Sequence, residues 1–167
     1  MNRPTPLNRE FTFKDNEFIV SKTDTNGKII YCNETFIDIS AYDESELLGK
    51  PHNIIRHPDM PRTIFKFLWK TISQGKEIFA YVKNLRKDGG YYWVYAHVTP
   101  TYDDTGKIKG YHSVRRKPRS DALEKIEPIY KSLIEKERSN GLEAGINFLM
   151  NYLEERKVEY DEFIFTL

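Results

Sequence analysis

Residues 51–61, PHNIIRHPDMP, place an arginine, an imidazole and a carboxylate within four positions, at Arg56, His57 and Asp59, with a second imidazole at His52. A guanidinium offers a planar fork of donors suited to a phosphate, an imidazole can add a further donor, and a carboxylate can hold the arginine in place. The same residues equally suit a salt-bridged structural loop, and spacing alone leaves both readings open. Pro51, Pro58 and Pro61 make the stretch too broken for a long helix, and its polarity suits no buried strand. Further along, Asn84 interrupts the apolar run FAYVKNLRK, where a buried amide is costly without partners. Trp69 falls on an apolar helical stripe, where a tryptophan is more often core than ligand contact. His52, His57, His97 and His112 show no His-x-x-x-His or Glu-x-x-His spacing, which argues against a metal cluster but leaves an axial haem ligand open. No Ser/His/Asp set, carboxylate pair or glycine-rich dinucleotide loop is present, so an enzyme is not expected.

These residues need a scaffold, and turn chemistry outlines one. FIVSKTDTNGKIIYCN reads as two short strands joined at Thr25-Asn26-Gly27, a strong hairpin signal. Asn33 can cap a short helix over ETFIDISAY, and DESELLG gives another, stopped by Gly49. Pro61 suits the first position of a longer helix, RTIFKFLWKTISQG, with Ile64, Phe65, Leu68, Trp69 and Ile72 on one wide stripe and Gly75 at its end. EIFAYVKNLRK, YYWVYAHVTPTY and KIKGYHSVRRK, separated by glycine-containing turns, predict a three-stranded meander. The fold class is therefore α+β: a five-stranded antiparallel sheet with short helices inserted between strands two and three, all on one face, plus C-terminal helices. Alternation lets only one parity of Tyr92, Trp93 and Tyr95 face a pocket, and Trp93 and Tyr95 are assigned inward. The predicted division is 1–17 as a cap or flexible segment, 18–118 as the domain, and 119–167 as a helical extension. In that extension two amphipathic helical segments that seek a partner are expected: SDALEKIEPIYKSLIEKE, which Pro128 should kink or interrupt, and NGLEAGINFLMNYLEERK, where Asn140 with Glu143 could form a capping box.

Bulk properties narrow the function. With 26 Lys+Arg against 25 Asp+Glu, the net charge of +1 gives no global basic field, and a nucleic-acid partner is not expected. One cysteine, Cys32, excludes an internal disulfide and fits a reducing compartment, so a cytoplasmic location is expected. No signal-type or membrane-spanning apolar run occurs, and direct membrane insertion is not expected. Aromatic residues make up 14% of the chain, which suits a small sheet around a ring-lined cavity.

The order of elements, together with TDTNGKIIYCNETFIDISAYDESELLGKPHNIIRHPDMP and KNLRKDGGYYWVYAHVTPTYDDTGKIKGY, resembles PAS domains. Within them it resembles the flavin-binding PAS domain of Aer-type energy-taxis sensors, over roughly residues 18 to 135. The resemblance implies a redox or energy sensor holding non-covalent FAD between the sheet and the helices after strand two. Arg56 and His57 would then meet the pyrophosphate at the pocket mouth, and Asp59 would hold Arg56 or a ribose hydroxyl. Trp69 would pack on a ring, and Asn84 would sit beside the flavin. His52 and Trp93 complete the expected set, with Asn33 divided between helix capping and ligand contact. The expected partner is a membrane-bound methyl-accepting chemotaxis-type receptor or its signalling domain, which would hold the protein near the inner membrane face; a homodimer is also compatible. A cofactor-free interaction module and a haem-binding gas sensor are the alternatives. Photochemical adduct formation is not expected, because the region that would carry an Asn-Cys-Arg-Phe-Leu motif reads NIIRHPDMP here.

Overall fold

The computed structural model describes residues 2–167. The first hairpin is organised by Asp24, whose carboxylate accepts the backbone N–H of Asn26 and of Lys28, both at 2.9 Å. Gly27 takes the left-handed position of the turn, at φ 80°. This joins β1 (Ile19–Asp24) to β2 (Ile29–Cys32). Three helices follow: α1 (Glu34–Ser40), α2 (Glu44–Leu47) and α3 (Arg62–Ser73), with a 3-10 turn at His52–Ile55 before the last. The meander is β3 (Ile78–Leu85), β4 (Tyr91–Tyr102) and β5 (Ile108–Arg116), and the sheet order is β2-β1-β5-β4-β3.

Strand alternation gives the sheet two distinct faces. Ile19, Ser21 and Thr23 of β1, the even-numbered residues of β4 and Tyr111, Ser113 and Arg115 of β5 share the inner face. Phe36, Leu47, Ile72, Ile19, Ile29 and Ile78 are fully buried there. Each such side chain contributes about 1.5–3 kcal/mol, and together they anchor α1 and α3 to the sheet.

The C-terminal extension does not stand apart. α4 (Ser120–Arg156) lays Ile126, Ile129, Tyr130 and Leu133 against the outer face of β3 and β4, and α5 (Tyr160–Phe165) follows along β3. The sheet is thus covered on both faces over β3 and β4, where the sequence placed helices on one face only, and the amphipathic tail finds its partner within the chain. Pro128 does not interrupt α4; the break comes at Asn140 (φ −136°) and Gly141 (φ 81°). The proline is tolerated because it points to solvent, leaving the carbonyl it deprives of a donor open to water, while its neighbours stay packed on the sheet. The N-terminal segment runs beside the start of β4: Leu7 and Phe11 donate to the carbonyls of Gly89 and Tyr91, each at 2.8 Å, and Tyr91 donates back to Arg9 at 2.9 Å. No helix among the described residues is long and apolar enough to cross a membrane.

Candidate functional site

A cavity of about 460 Å³ lies between the inner face of the sheet and α3. Its sides are apolar, from Ile55, Phe65, Leu68, Ile72, Val82, Val94 and Val98. Its polar groups gather in two places.

The deep cluster is Arg115, Ser21 and His52. Arg115 is 2% exposed, and its guanidinium donates to Ser21 Oγ at 2.7 Å, approaches His52 Nε2 at 3.4 Å and lies 4.5 Å over the Phe36 ring. Ser21 Oγ stands 3.0 Å from the same imidazole nitrogen. Burial, and then the charge of Arg115, drive the His52 pKa down to about 3, so the ring is neutral and its Nε2 serves as acceptor in this network. Burial also lowers the Arg115 pKa to about 10. No carboxylate among the described residues lies within ion-pair distance of Arg115. A cation buried without an anion is costly, and its Nε has no acceptor at all.

That orphan has company. Among the described residues, the buried side-chain atoms without a hydrogen-bond partner are Thr23 Oγ1, Asn84 Nδ2, Tyr92 Oη and Arg115 Nε. Thr23, Asn84 and Arg115 all line this cavity, and Tyr92 is the cross-strand partner of Asn84. Burial raises the Tyr92 pKa to about 12; the Asn84 amide lies near enough to oppose that rise without completing a hydrogen bond.

The mouth carries Arg56, Arg62 and Lys66, none of them in an ion pair among the described residues. Arg56 follows the 3-10 turn, bridges to Asn84 through the backbone and lays its guanidinium 4.2 Å over the Phe65 ring. Desolvation, and then the charges of Arg3 and Arg62, lower its pKa, with Glu137 opposing them. Trp69 is 38% exposed and meets Tyr111 edge-on at 5.5 Å. A Cβ at Gly27 would lie 3.0 Å from its indole, so the hairpin turn and the ring require a glycine there.

The structure therefore brings His52, Arg56, Trp69 and Asn84 to one cavity, but four other expected residues lie elsewhere. Arg56 has extended backbone, and successive extended residues point to opposite sides. His57 consequently turns away from the cavity, accepts the Asp59 N–H on Nδ1 at 3.0 Å and meets the Tyr91 ring edge-on. Asp59 pairs with Lys83 at 2.9 Å, and that ammonium lies 4.3 Å over Tyr91. His57 and Asp59 thus clip the segment to the sheet edge instead of reaching the mouth. Asn33 is consumed by its cap: Oδ1 accepts the N–H groups of Phe36 and Val20, and Nδ2 donates to the Phe18 carbonyl. Trp93 faces the outer side, stacked on Tyr130, and Tyr95 shares that face beside Tyr81; the inward parity of β4 is the even one. Arg115, Ser21 and Thr23 escaped sequence reading. The signal for Arg115 was its shared parity with Tyr111 and Ser113 on β5, legible only once the strand register is known.

A five-stranded antiparallel sheet of this order, with three short helices over a cavity, decides the family, and residues 29–115, just over half of the chain, match the PAS fold family. The chain belongs to the PAS family. Over 132 residues, 79% of this chain and 26% of the relative, this PAS domain is 39% identical to the aerotaxis receptor of Escherichia coli (strain K12). It is 30% identical over 97 residues to a nitrogen fixation regulatory protein of Klebsiella oxytoca, covering 58% of this chain and 20% of that one. The chain thus spans about a quarter or less of these relatives' lengths. Among solved structures, the dark form of the blue-light photoreceptor Aureochrome1 LOV superposes with a TM-score of 0.57 at 24% identity, over 71% of this chain and 85% of that one. The chain is a PAS domain of the aerotaxis-receptor type, and its relatives also include blue-light-activated histidine kinases.

Proposed function

We propose that the protein is an FAD-binding redox sensor that passes its state to a chemoreceptor-type partner in energy taxis. The observation that carries this reading is the convergence of unsatisfied donors on one apolar cavity: Asn84, Thr23 and Arg115. Such a cavity suits a flat, largely apolar occupant whose edge bears several hydrogen-bonding atoms. The free cations at its mouth suit an anionic tail such as a pyrophosphate. An isoalloxazine ring with its adenine dinucleotide tail has both properties, and likeness to blue-light LOV photoreceptors and to an aerotaxis receptor supports a flavin.

A flavin held here supplies reversible electron uptake with a change of charge and protonation at its ring nitrogens. The chain's own groups are arranged to respond. Asn84 can present either its amide donor or its carbonyl acceptor by rotating about its terminal torsion. Arg115 would face negative charge on such a ring as a buried cation, and His52 beside it, neutral at physiological pH, would act as an acceptor and not as an acid. Since the Asn84 amide lies beside the buried Tyr92 hydroxyl of the neighbouring strand, a turn of that amide is felt within the sheet. Output is then a shift between two arrangements rather than a turnover. His57 and Asp59 act in this reading by fixing the segment that carries Arg56.

A membrane-bound methyl-accepting chemotaxis-type receptor, or its signalling domain, is the proposed partner, and it would keep the protein at the inner face of the membrane. Likeness to one part of an aerotaxis receptor supports this assignment. A haem role for His52 fits less well, because its Nε2 is engaged by Ser21 and faces a guanidinium. The purified protein is expected to be yellow, with a flavin spectrum released on denaturation and identified as FAD by chromatography. Colourless protein that takes up no added FAD would overturn the reading.

A further inference from the structure

α1 begins on an acceptor of its own, the Asn33 side chain, but α3 does not: it starts after Pro61, which has no side-chain acceptor. Its first free N–H groups are taken instead by a residue of the C-terminal extension. Glu137 accepts the N–H of Thr63 at 2.8 Å from 74 positions away, the Thr63 hydroxyl at 2.8 Å and the Arg62 N–H at 3.1 Å. Asn140 and Gly141 follow and break α4, so the chain turns and runs back along α3. Leu142 then enters the cavity wall. Gly145 lies so close that a Cβ there would stand 2.3 Å from Thr63 Oγ1. The Glu137 carboxylate also acts on Arg56, opposing the effects that lower its pKa. One carboxylate therefore caps the N-terminus of the helix that presents Phe65, Leu68 and Trp69 to the cavity and adds a small opposing charge near the arginine at its mouth.

We propose that Glu137 couples the cavity to the C-terminal extension, making seating of the occupant and seating of residues 142–156 on α3 a single linked equilibrium. An occupant pressed against α3 and Leu142 favours the position of α3 that Glu137 caps, and by linkage the seated extension favours the occupant. Signal leaves the domain through this returning segment, which responds to α3 directly. The coupling rests on the flavin reading only for the identity of the occupant.

Hydrogen exchange by mass spectrometry on the full chain tests it, with FAD as the probe and Glu137→Ala as the variant. In the FAD-free protein, Glu137→Ala is expected to speed exchange both in the first turn of α3 and across residues 142–156, two segments otherwise separate in the chain. Added FAD is expected to slow exchange in residues 142–156 of the wild type, and its affinity should fall about fivefold in the variant, the lower range of measured couplings. Faster exchange confined to the first turn of α3, with residues 142–156 unchanged, would overturn the coupling. If the wild type binds no FAD, the flavin reading fails, and the FAD-free comparison alone decides the coupling. Should Glu137→Ala not fold, Gly145→Ala serves, since its methyl group cannot fit against Thr63: exchange rising in α3 as well as in 142–156 supports the proposal, and exchange rising in 142–156 alone refutes it.

Discussion

On the outer side of β3, the Tyr130 and Tyr160 hydroxyls donate to the backbone carbonyls of Tyr81 and Phe79 at 2.6 and 2.9 Å, while on the inner side Asn84, Thr23 and Arg115 keep donors without partners. Both sets are buried, so the difference is not one of solvent. The outer groups are completed by the chain's own tail, which also closes the free edge of the sheet that an unpaired strand would expose. The inner groups stand in an apolar hollow and can be completed only by something that enters it. Satisfied and unsatisfied polar atoms on the two faces of one sheet thus separate the part of the molecule built for itself from the part built for a ligand. Mutations on the two sides should accordingly move different measurements.

Arg115→Met should give the largest effect. The guanidinium is buried without an anion, so its loss leaves the thermal stability of the ligand-free protein unchanged or raised, as replacing buried charge by an apolar chain often does. FAD affinity is expected to fall by about a hundredfold, the scale of a lost charge-assisted hydrogen bond of about 1.5–3 kcal/mol, and isothermal titration would read it. A marked drop in stability with affinity intact would place Arg115 among the structural groups and end the contrast between the two sides. Tyr130→Phe is the opposite case. Deleting that hydroxyl leaves the Tyr81 carbonyl short of a donor and should cost about 1–2 kcal/mol in denaturant unfolding, with FAD affinity unaltered.

How much of this was legible depends on range. The hairpin at Asn26-Gly27, the Asn33 cap and the meander follow from neighbours in sequence, and the structure agrees with each. Parity was harder. Trp93 and Tyr95 look like cavity residues because aromatic rings favour ligands, but β4 alternates cleanly, and which parity faces inward is set by α3 and α4, not by β4 itself. His57 and Asp59 failed for the same reason at shorter range: next to an inward Arg56 in extended backbone, His57 must point outward. Arg115 and Glu137 were invisible because each acts across the fold, one through the pairing of β5 with β1 and the other through a cap on a helix far back in the chain. Pro128 shows the converse, a strong local signal overridden by packing on the opposite side of its helix.

The smallest expected effect concerns the sheet edge, where His57 belongs to neither side. Burial, and then Lys83, depress its pKa to about 4, whereas an unfolded chain leaves a histidine near 6.5. Between those values the unfolded state binds more protons than the folded one, so folding stability rises with pH across the window. Read downward, the stability that neutral His57 contributes is fully present above about pH 6.5 and is lost progressively as pH falls toward 4. The slope from this one group is about 1 kcal/mol per pH unit in the middle of the window. His52, depressed to about 3 for a like reason, adds to the slope through the same range. His57→Gln keeps an oxygen able to accept the Asp59 N–H but cannot titrate, so its urea midpoint should fall less steeply between pH 6.5 and 5 than that of the wild type. His52→Gln should flatten the same slope and in addition weaken FAD, because His52 borders the cavity and His57 does not. Equal loss of FAD affinity in both variants would show that the edge clip governs the mouth as strongly as the wall itself does.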